Sequence, residues 1–256
     1  MLRYICWRVD AGLIRYDAAR ELQRRLVEAR KCAAIPDVLL FCRHPHVVTL
    51  GRNGKPEHLL AGKRVLAQMN VELRPSDRGG DITYHGPGQV VGYPILDLTE
   101  HRRDVRWYVE QLEEVMIRAT GDFGVRAKRV EGRHGIWVES RAGEEKLAAI
   151  GIHLSRWVTS HGFAYNVATD LRYFDLIVPC GIPDRRATSL ERVLRRAASE
   201  SEVRERLAYH FGEMFHTEMV SMTLSELKKA TGSASLKREW QEGASTEAAV
   251  TGGVRT

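Results

Sequence analysis

The stretch from Arg78 to Leu98, RGGDITYHGPGQVVGYPILDL, restricts the fold more than any other part of the chain. It sets five glycines and two prolines among short β-branched runs, which suits a strand broken by a shaped loop and does not suit a helix. Glycines at 79, 80, 86 and 88 let backbone come close to a ligand, and Pro87 stiffens the turn between Gly86 and Gly88. A plain hairpin turn also accounts for HGPG, but it leaves Arg78, Gly79 and Gly80 without a purpose.

Around this stretch the pattern alternates between helix and strand. A strand is expected over Leu2 to Val9, then an amphipathic helix within 13–33 carrying Ala18, Leu22, Leu26, Ala29 and Ala33 on one face. VLLFC (38–42) and HVVTLG (46–51) read as a strand pair joined tightly through RHP. Cys42, His44 and His46 alternate there, but no further ligand stands at a recognisable zinc spacing. LLAGKRVLAQM has a helical look, and Tyr108, Leu112, Val115, Met116 and Ala119 mark a second amphipathic helix that ends at Gly121 or Gly124. Four apolar tracts between 125 and 168 follow at close spacing and read as an antiparallel meander. From 188 onward capping boxes pair Thr188 with Glu191, Ser199 with Glu202 and Thr223 with Glu226. Beyond these, residues 232–256 are poor in apolar side chains and are expected to form a disordered tail behind a main domain of 1–231.

At 256 residues the chain is long enough for a full core, and no apolar run reaches the roughly 20 residues of a membrane span. The N-terminus lacks an uninterrupted apolar core and acquires Asp10 and Asp17 early, unlike a secretory or transit peptide. Four scattered cysteines without a CxxC pair point to a reducing, cytoplasmic setting. A net charge of +6 attracts acidic partners over about 8 Å in physiological salt. Basic residues are mixed with acidic ones and form no run interleaved with aromatics, so an acidic carrier protein suits the charge as well as nucleic acid does.

Cys180 stands in VPCGIPD, where Pro179, Gly181 and Pro183 place it on a loop. Cys6, Cys32 and Cys42 sit in apolar or periodic tracts, where a cysteine acts as a small hydrophobe. A nucleophilic thiol needs a cation or base beside it. Lys146 qualifies because it begins the apolar run KLAAIGIHL, although it also reads as a simple strand flank. His85, His153 and His161 compete for the role of base.

Taken together, RGGDITYHGPGQVVGYPILDL, KLAAIGIHLSRWVTSHGFAYNV and DLRYFDLIVPCGIPDRRATSLE resemble the lipoyl(octanoyl) transferases, the octanoyl-carrier-protein:protein acyltransferases. The resemblance runs from about Leu50 to Arg192 and leaves the C-terminal extension without a role. It implies an α/β fold, a mixed and largely antiparallel sheet flanked by helices, similar to the catalytic domain of biotin and lipoate protein ligases. It implies that Cys180 takes the octanoyl group from octanoyl-acyl carrier protein as a thioester, with Lys146 lowering the thiol pKa and handling protons. The implied acceptors are lipoyl domains of 2-oxoacid dehydrogenase acyltransferase subunits and the glycine cleavage H protein. The implied acyl-binding residues are Arg78, Gly79, Gly80, Asp81, Ile82, Thr83, Tyr84 and His85, with Ala149, Ile150, Gly151, Gly162, Phe163 and Ala164. No cofactor, metal, nucleic acid or membrane is implied, and a thioester donor needs no ATP loop, of which the sequence has none. An ATP-dependent lipoate-protein ligase would share the fold and the acceptor but would need no cysteine, and a nucleic-acid-binding module would leave both the glycine loop and Cys180 unused.

Overall fold

The computed structural model describes residues 4–140, 143–178 and 186–232. Strand β1 (Tyr4–Leu13) runs past the expected Val9, while Leu2 lies outside the described residues. Helix α1 (Tyr16–Lys31) buries Ala19, Leu22, Leu26 and Ala29, with Asp17 in its first turn and Arg30 and Lys31 in its last, where the helix dipole favours them. Ala18 and Ala33 are exposed, so the stripe is narrower than the spacing predicts. Strand β2 (Asp37–Arg43) is buried along almost its whole length, as a central strand covered on both faces must be.

Strand β3 (Val47–Leu50) does not pair with β2, contrary to the sequence reading. Both edges of β2 are taken, one by β1 and the other by β6 (Gln89–Ile95), so the chain leaves the sheet at His44–Pro45–His46. Two histidines separate at this point. His44 Nδ1 donates to Ile14 O at 2.7 Å, which leaves Nε2 to accept from the Tyr93 hydroxyl at 2.7 Å. His46 instead meets the Tyr84 hydroxyl and stacks on Tyr173.

Helix α2 (Lys63–Gln68) leads to β4 (Glu72–Pro75) and β5 (Ile82–His85), and β4-β3-β5 form a small separate sheet. The large sheet takes in β7 (Ala127–Val130), β8 (Arg133–Ser140), β9 (Gly143–Ser155) and β10 (Val158–Asn166), the expected meander. With β11 (Thr217–Met222) its order is β11-β1-β2-β6-β10-β9-β8-β7, parallel at β11-β1-β2 and antiparallel elsewhere. Helices α3 (Val105–Gly121) and α5 (Glu200–Phe215) cover one face through Leu112, Met116, Leu207 and Phe211, while α1 covers part of the other. This is the mixed, helix-flanked sheet that the sequence predicts.

Because β5 and β6 belong to different sheets, Gly86–Pro87–Gly88 carries the chain from one sheet to the other and is not a hairpin turn. Gly88 has φ +80°, and a Cβ there would stand 2.4 Å from Ala168 O. The expected box at Thr188 is displaced by one residue, since Ser189 caps α4 (Leu190–Leu194) by accepting from Arg192 N at 3.3 Å. Thr188 is still extended, its N–H donating to Lys146 O at 2.9 Å. Ser199 accepts from Glu202 N, and Thr223 and Glu226 cap each other reciprocally. Within the helical segment 224–232 Leu227 is fully buried; residues 233–256, nearly all of the expected tail, lie outside the described residues.

Candidate active site

Cys180 lies outside the described residues, but both flanks of its segment are placed. On one side Val178 N donates to His58 O at 2.7 Å and Ile177 bridges Leu59. On the other, Lys146 N donates to Arg186 O at 2.9 Å and Ala187 bridges Lys146 in parallel. Residues 186–188 thereby pair alongside β9, and Arg186, Ala187 and His58 line a cavity of about 470 Å³ between the two sheets.

Lys146 reaches this cavity because of a β-bulge. The register between β8 and β9 shifts from Ile136↔Ala148 to Trp137↔Lys146, so one residue of β9 has no opposite number. In a regular strand Lys146 and Ala149 would face opposite sides; with the bulge both line the cavity. Gly135 permits it, with φ +101° and Ala148 O 2.3 Å from where its Cβ would be. The Lys146 ammonium rests 5.1 Å from the centre of the Trp137 ring, a cation–π contact.

The proposed acyl-binding residues divide by position. Gly80, Asp81, Thr83, Ala149, Ile150 and Ala164 line the cavity with Lys146. Ala149 and Ala164 are cross-strand partners, and two methyl groups leave width where larger side chains would fill it. Arg78 lies behind this wall, buried, donating to Thr49 O at 2.7 Å, to Thr49 Oγ1 at 2.9 Å and to Gly79 O at 3.1 Å. It props the glycine loop, whose backbone is also held by Gly79 N to Ile152 O at 2.8 Å and Asn53 N to Gly80 O at 3.1 Å. Asp81 pairs with His58 and accepts from Lys55 N at 3.1 Å. Ile82 and Tyr84 are buried in the small sheet's core, and Phe163 is packed into the core under α3 and α5. Gly151 and Gly162 are cross-strand partners, and both are spacers: a Cβ on Gly151 would stand 3.0 Å from Gly79 O, and one on Gly162 2.3 Å from Gly92 O.

His85 is buried, and its burial and then nearby His44 lower its pKa from 6.5 to about 3. As a neutral ring it donates from Nδ1 to Gln89 Oε1 at 2.8 Å. Gln89 Nε2 donates to Asn166 Oδ1 at 2.9 Å, and Asn166 Nδ2 donates to Thr188 O at 3.0 Å. This relay joins the glycine loop to the strand segment beside Lys146. His153 and His161 instead line a separate cavity of about 380 Å³ beside α1, where the hydrogen bond from His161 holds the Asp77 carboxyl well below the usual range. The histidines on the Lys146 cavity are His58 and His134, which the sequence reading does not select. It also passes over Gln89 and Asn166, although an amide inside an apolar strand run is a usable signal, because a buried amide needs partners. Cys6 and Cys42 are buried, their thiols pushed up by desolvation, and none of the three described cysteines lines the cavity.

The family described as the lipoyl protein ligase A/B catalytic domain matches residues 15–212, a range that contains every residue expected from the sequence to bind or react, Cys180 included. An octanoyltransferase of Solibacter usitatus is 51% identical over 86% of this chain and 96% of its own length. One from Koribacter versatilis is 47% identical over 83% of this chain and 85% of its own. Among solved structures, the bipartite lipoate protein ligase of an archaeal lipoylation system from Thermoplasma acidophilum superposes with a TM-score of 0.70 at 18% identity, covering 89% of this chain and 91% of that one. That last likeness is one of fold.

Proposed function

The chain belongs to the lipoyl protein ligase A/B catalytic-domain family, and from that premise we propose that it is an octanoyltransferase of lipoate biosynthesis working through Cys180. The donor is octanoyl-acyl carrier protein, and the acceptors are lipoyl domains of 2-oxoacid dehydrogenase acyltransferase subunits and the glycine cleavage H protein, all in the cytoplasm. No helix of the described residues is long and apolar enough to cross a membrane.

The reading is supported chiefly by the hydrogen bonds that tie Arg186 and Thr188 to Lys146, because they hold the residues that follow the segment containing Cys180 beside the one lysine of the matched blocks. In the first half-reaction the Cys180 thiolate, stabilised by the Lys146 ammonium, attacks the thioester carbonyl; a new C–S bond forms, the donor C–S bond breaks, and the carrier's thiolate takes a proton from Lys146 Nζ, which is left neutral. In the second, a lysine ε-amine attacks the acyl-enzyme, Cys180 leaves as thiolate, and Lys146 Nζ carries the proton lost by the amine. The aliphatic chain lies along Ala149, Ile150 and Ala164, inside a cavity whose volume is in the range of small-ligand sites.

Incubation with octanoyl-acyl carrier protein alone, without ATP, leaves one hydroxylamine-sensitive octanoyl group on the peptide containing Cys180. Cys180→Ser stays folded and acquires none, while Lys146→Met moves the pH profile of Cys180 alkylation upward. An adduct on another cysteine, or a requirement for ATP, would overturn the assignment.

A further inference from the structure

The acyl cavity is flanked by a second concavity that no part of this chemistry uses. It is an open groove of about 630 Å³ between residues 168–172 and 189–196, reached directly from the segment that pairs with Lys146. Arg172, Arg192, Arg195 and Arg196 surround it, against Asp170 and Glu191. Arg172 is satisfied by Asp170 at 2.6 Å, and Arg192 lies 3.5 Å from the buried Glu145. Arg195 and Arg196 are exposed, and among the described residues no carboxylate is within ion-pair distance of either.

The groove is also rigid. Gly88 O accepts from Val167 N, Ala168 N and Thr169 Oγ1 at 2.9–3.0 Å, fixing one wall to the glycine loop. Glu191 N donates to Val167 O at 3.0 Å and so clamps the second wall to the first. Arg195 takes the left-handed conformation, φ +55°, where α4 ends. Basic charge continues from here to the acyl cavity, whose lining includes Lys55, Arg133 and Arg186.

We propose that this arginine groove is where the acidic carrier protein docks while its thioester reaches the cavity. The proposal rests on the carrier-protein reading of the donor given above. A carrier presents its acyl group on an extended arm, so its protein surface meets the enzyme beside the cavity mouth. Unpaired arginines on a fixed frame there attract an acidic face without paying to free themselves from internal partners, and rim charges of this kind act on encounter and affinity more than on chemistry.

The test isolates the donor half-reaction. The double variant Arg195→Asn/Arg196→Glu keeps a residue that tolerates the left-handed region at 195 and reverses the charge at 196. Single-turnover acylation by octanoyl-acyl carrier protein, with no acceptor present, is expected to need at least tenfold more carrier for half-saturation, with the limiting rate unchanged and a shallower dependence on salt. Acylation by octanoyl-pantetheine, which has the arm but no protein, is expected to be unchanged, as is KM for the lipoyl domain. Unchanged half-saturation for the carrier, or an equal loss with octanoyl-pantetheine, overturns the docking site. A shift confined to the acceptor KM overturns it too and gives the groove to the lipoyl domain. If the wild-type enzyme accepts octanoyl-pantetheine but not the carrier-bound thioester, the donor reading and the docking site fall together.

Discussion

Gly88 and His85 show how much of the glycine loop's composition answers to protein neighbours. At Gly88 an alanine would meet a left-handed φ, costing about 1–2 kcal/mol, and a carbonyl 2.4 Å away, so Gly88→Ala is expected to lose roughly 2–4 kcal/mol in urea unfolding. Gly121, at the end of α3 with open space around it, is the control: Gly121→Ala is expected to be neutral or slightly stabilising. His85 contributes to the acid limb of stability with a definite sign. Its ring takes up a proton near 6.5 in the unfolded chain and only near 3 when folded, so the unfolded state binds more protons between those values. The contribution of His85 is therefore full above about pH 6.5 and is lost as the pH drops toward 3. His85→Gln removes this contribution, and its unfolding free energy should change less between pH 7 and pH 4.5 than that of the wild type; equal changes would show that His85 titrates normally. The sequence reveals that this loop is shaped. It does not reveal what shapes it, because the Ala168 carbonyl opposing Gly88 arrives from a distant part of the chain.

Helices and most strands are legible because stripes and alternation are local properties, as with Leu112 and Met116 on α3. Partners are less so. VLLFC and HVVTLG look like a pair until β6, further along, takes the edge of β2 that β3 would need. Thr188 looks like a cap until its backbone is claimed by Lys146 O, which leaves the cap to Ser189. The same pairing gives Asn166 its importance, since it joins Gln89 to the segment 186–188. Asn166→Ala removes one partner of the Gln89 amide, which keeps Tyr84 O and His85, and the side-chain donor to the Thr188 carbonyl, at an expected cost of about 1–3 kcal/mol in stability. It should also slow acylation more than tenfold, measured as single-turnover rate, because the segment 186–188 loses its side-chain tie to the glycine loop and keeps only its backbone bonds to Lys146; a variant that loses stability but acylates at the wild-type rate would make the relay purely structural.

At the scale of the molecule, the site is a seam between two sheets, and no local pattern announces a seam. The glycine loop and the KLAAIGIHL run are each visible in sequence, but not that they face each other across a cavity. At the C-terminal end of the described residues Leu227 is fully buried, whereas the sequence of 232–256 holds only Leu236, Trp240, Val250 and Val254 as large apolar side chains. Deleting 232–256 is expected to leave Tm and kcat/KM nearly unchanged, whereas deleting 223–256 also exposes the core that Leu227 covers and should cost about 2–3 kcal/mol; a tenfold loss of kcat/KM in the shorter deletion would mean that the tail contacts the enzyme or a substrate. The outermost pairing of the large sheet joins its earliest strand to its latest, Tyr4 to Thr217. In chain order β1 meets β2 first, and its other edge is expected to wait unpaired until β11 has been made, with Tyr4 and Ile5 about half exposed even in the finished fold. An apolar edge held open that long is a template for pairing with other chains, so the nascent protein depends on prompt completion, or on a chaperone, more than its finished stability implies.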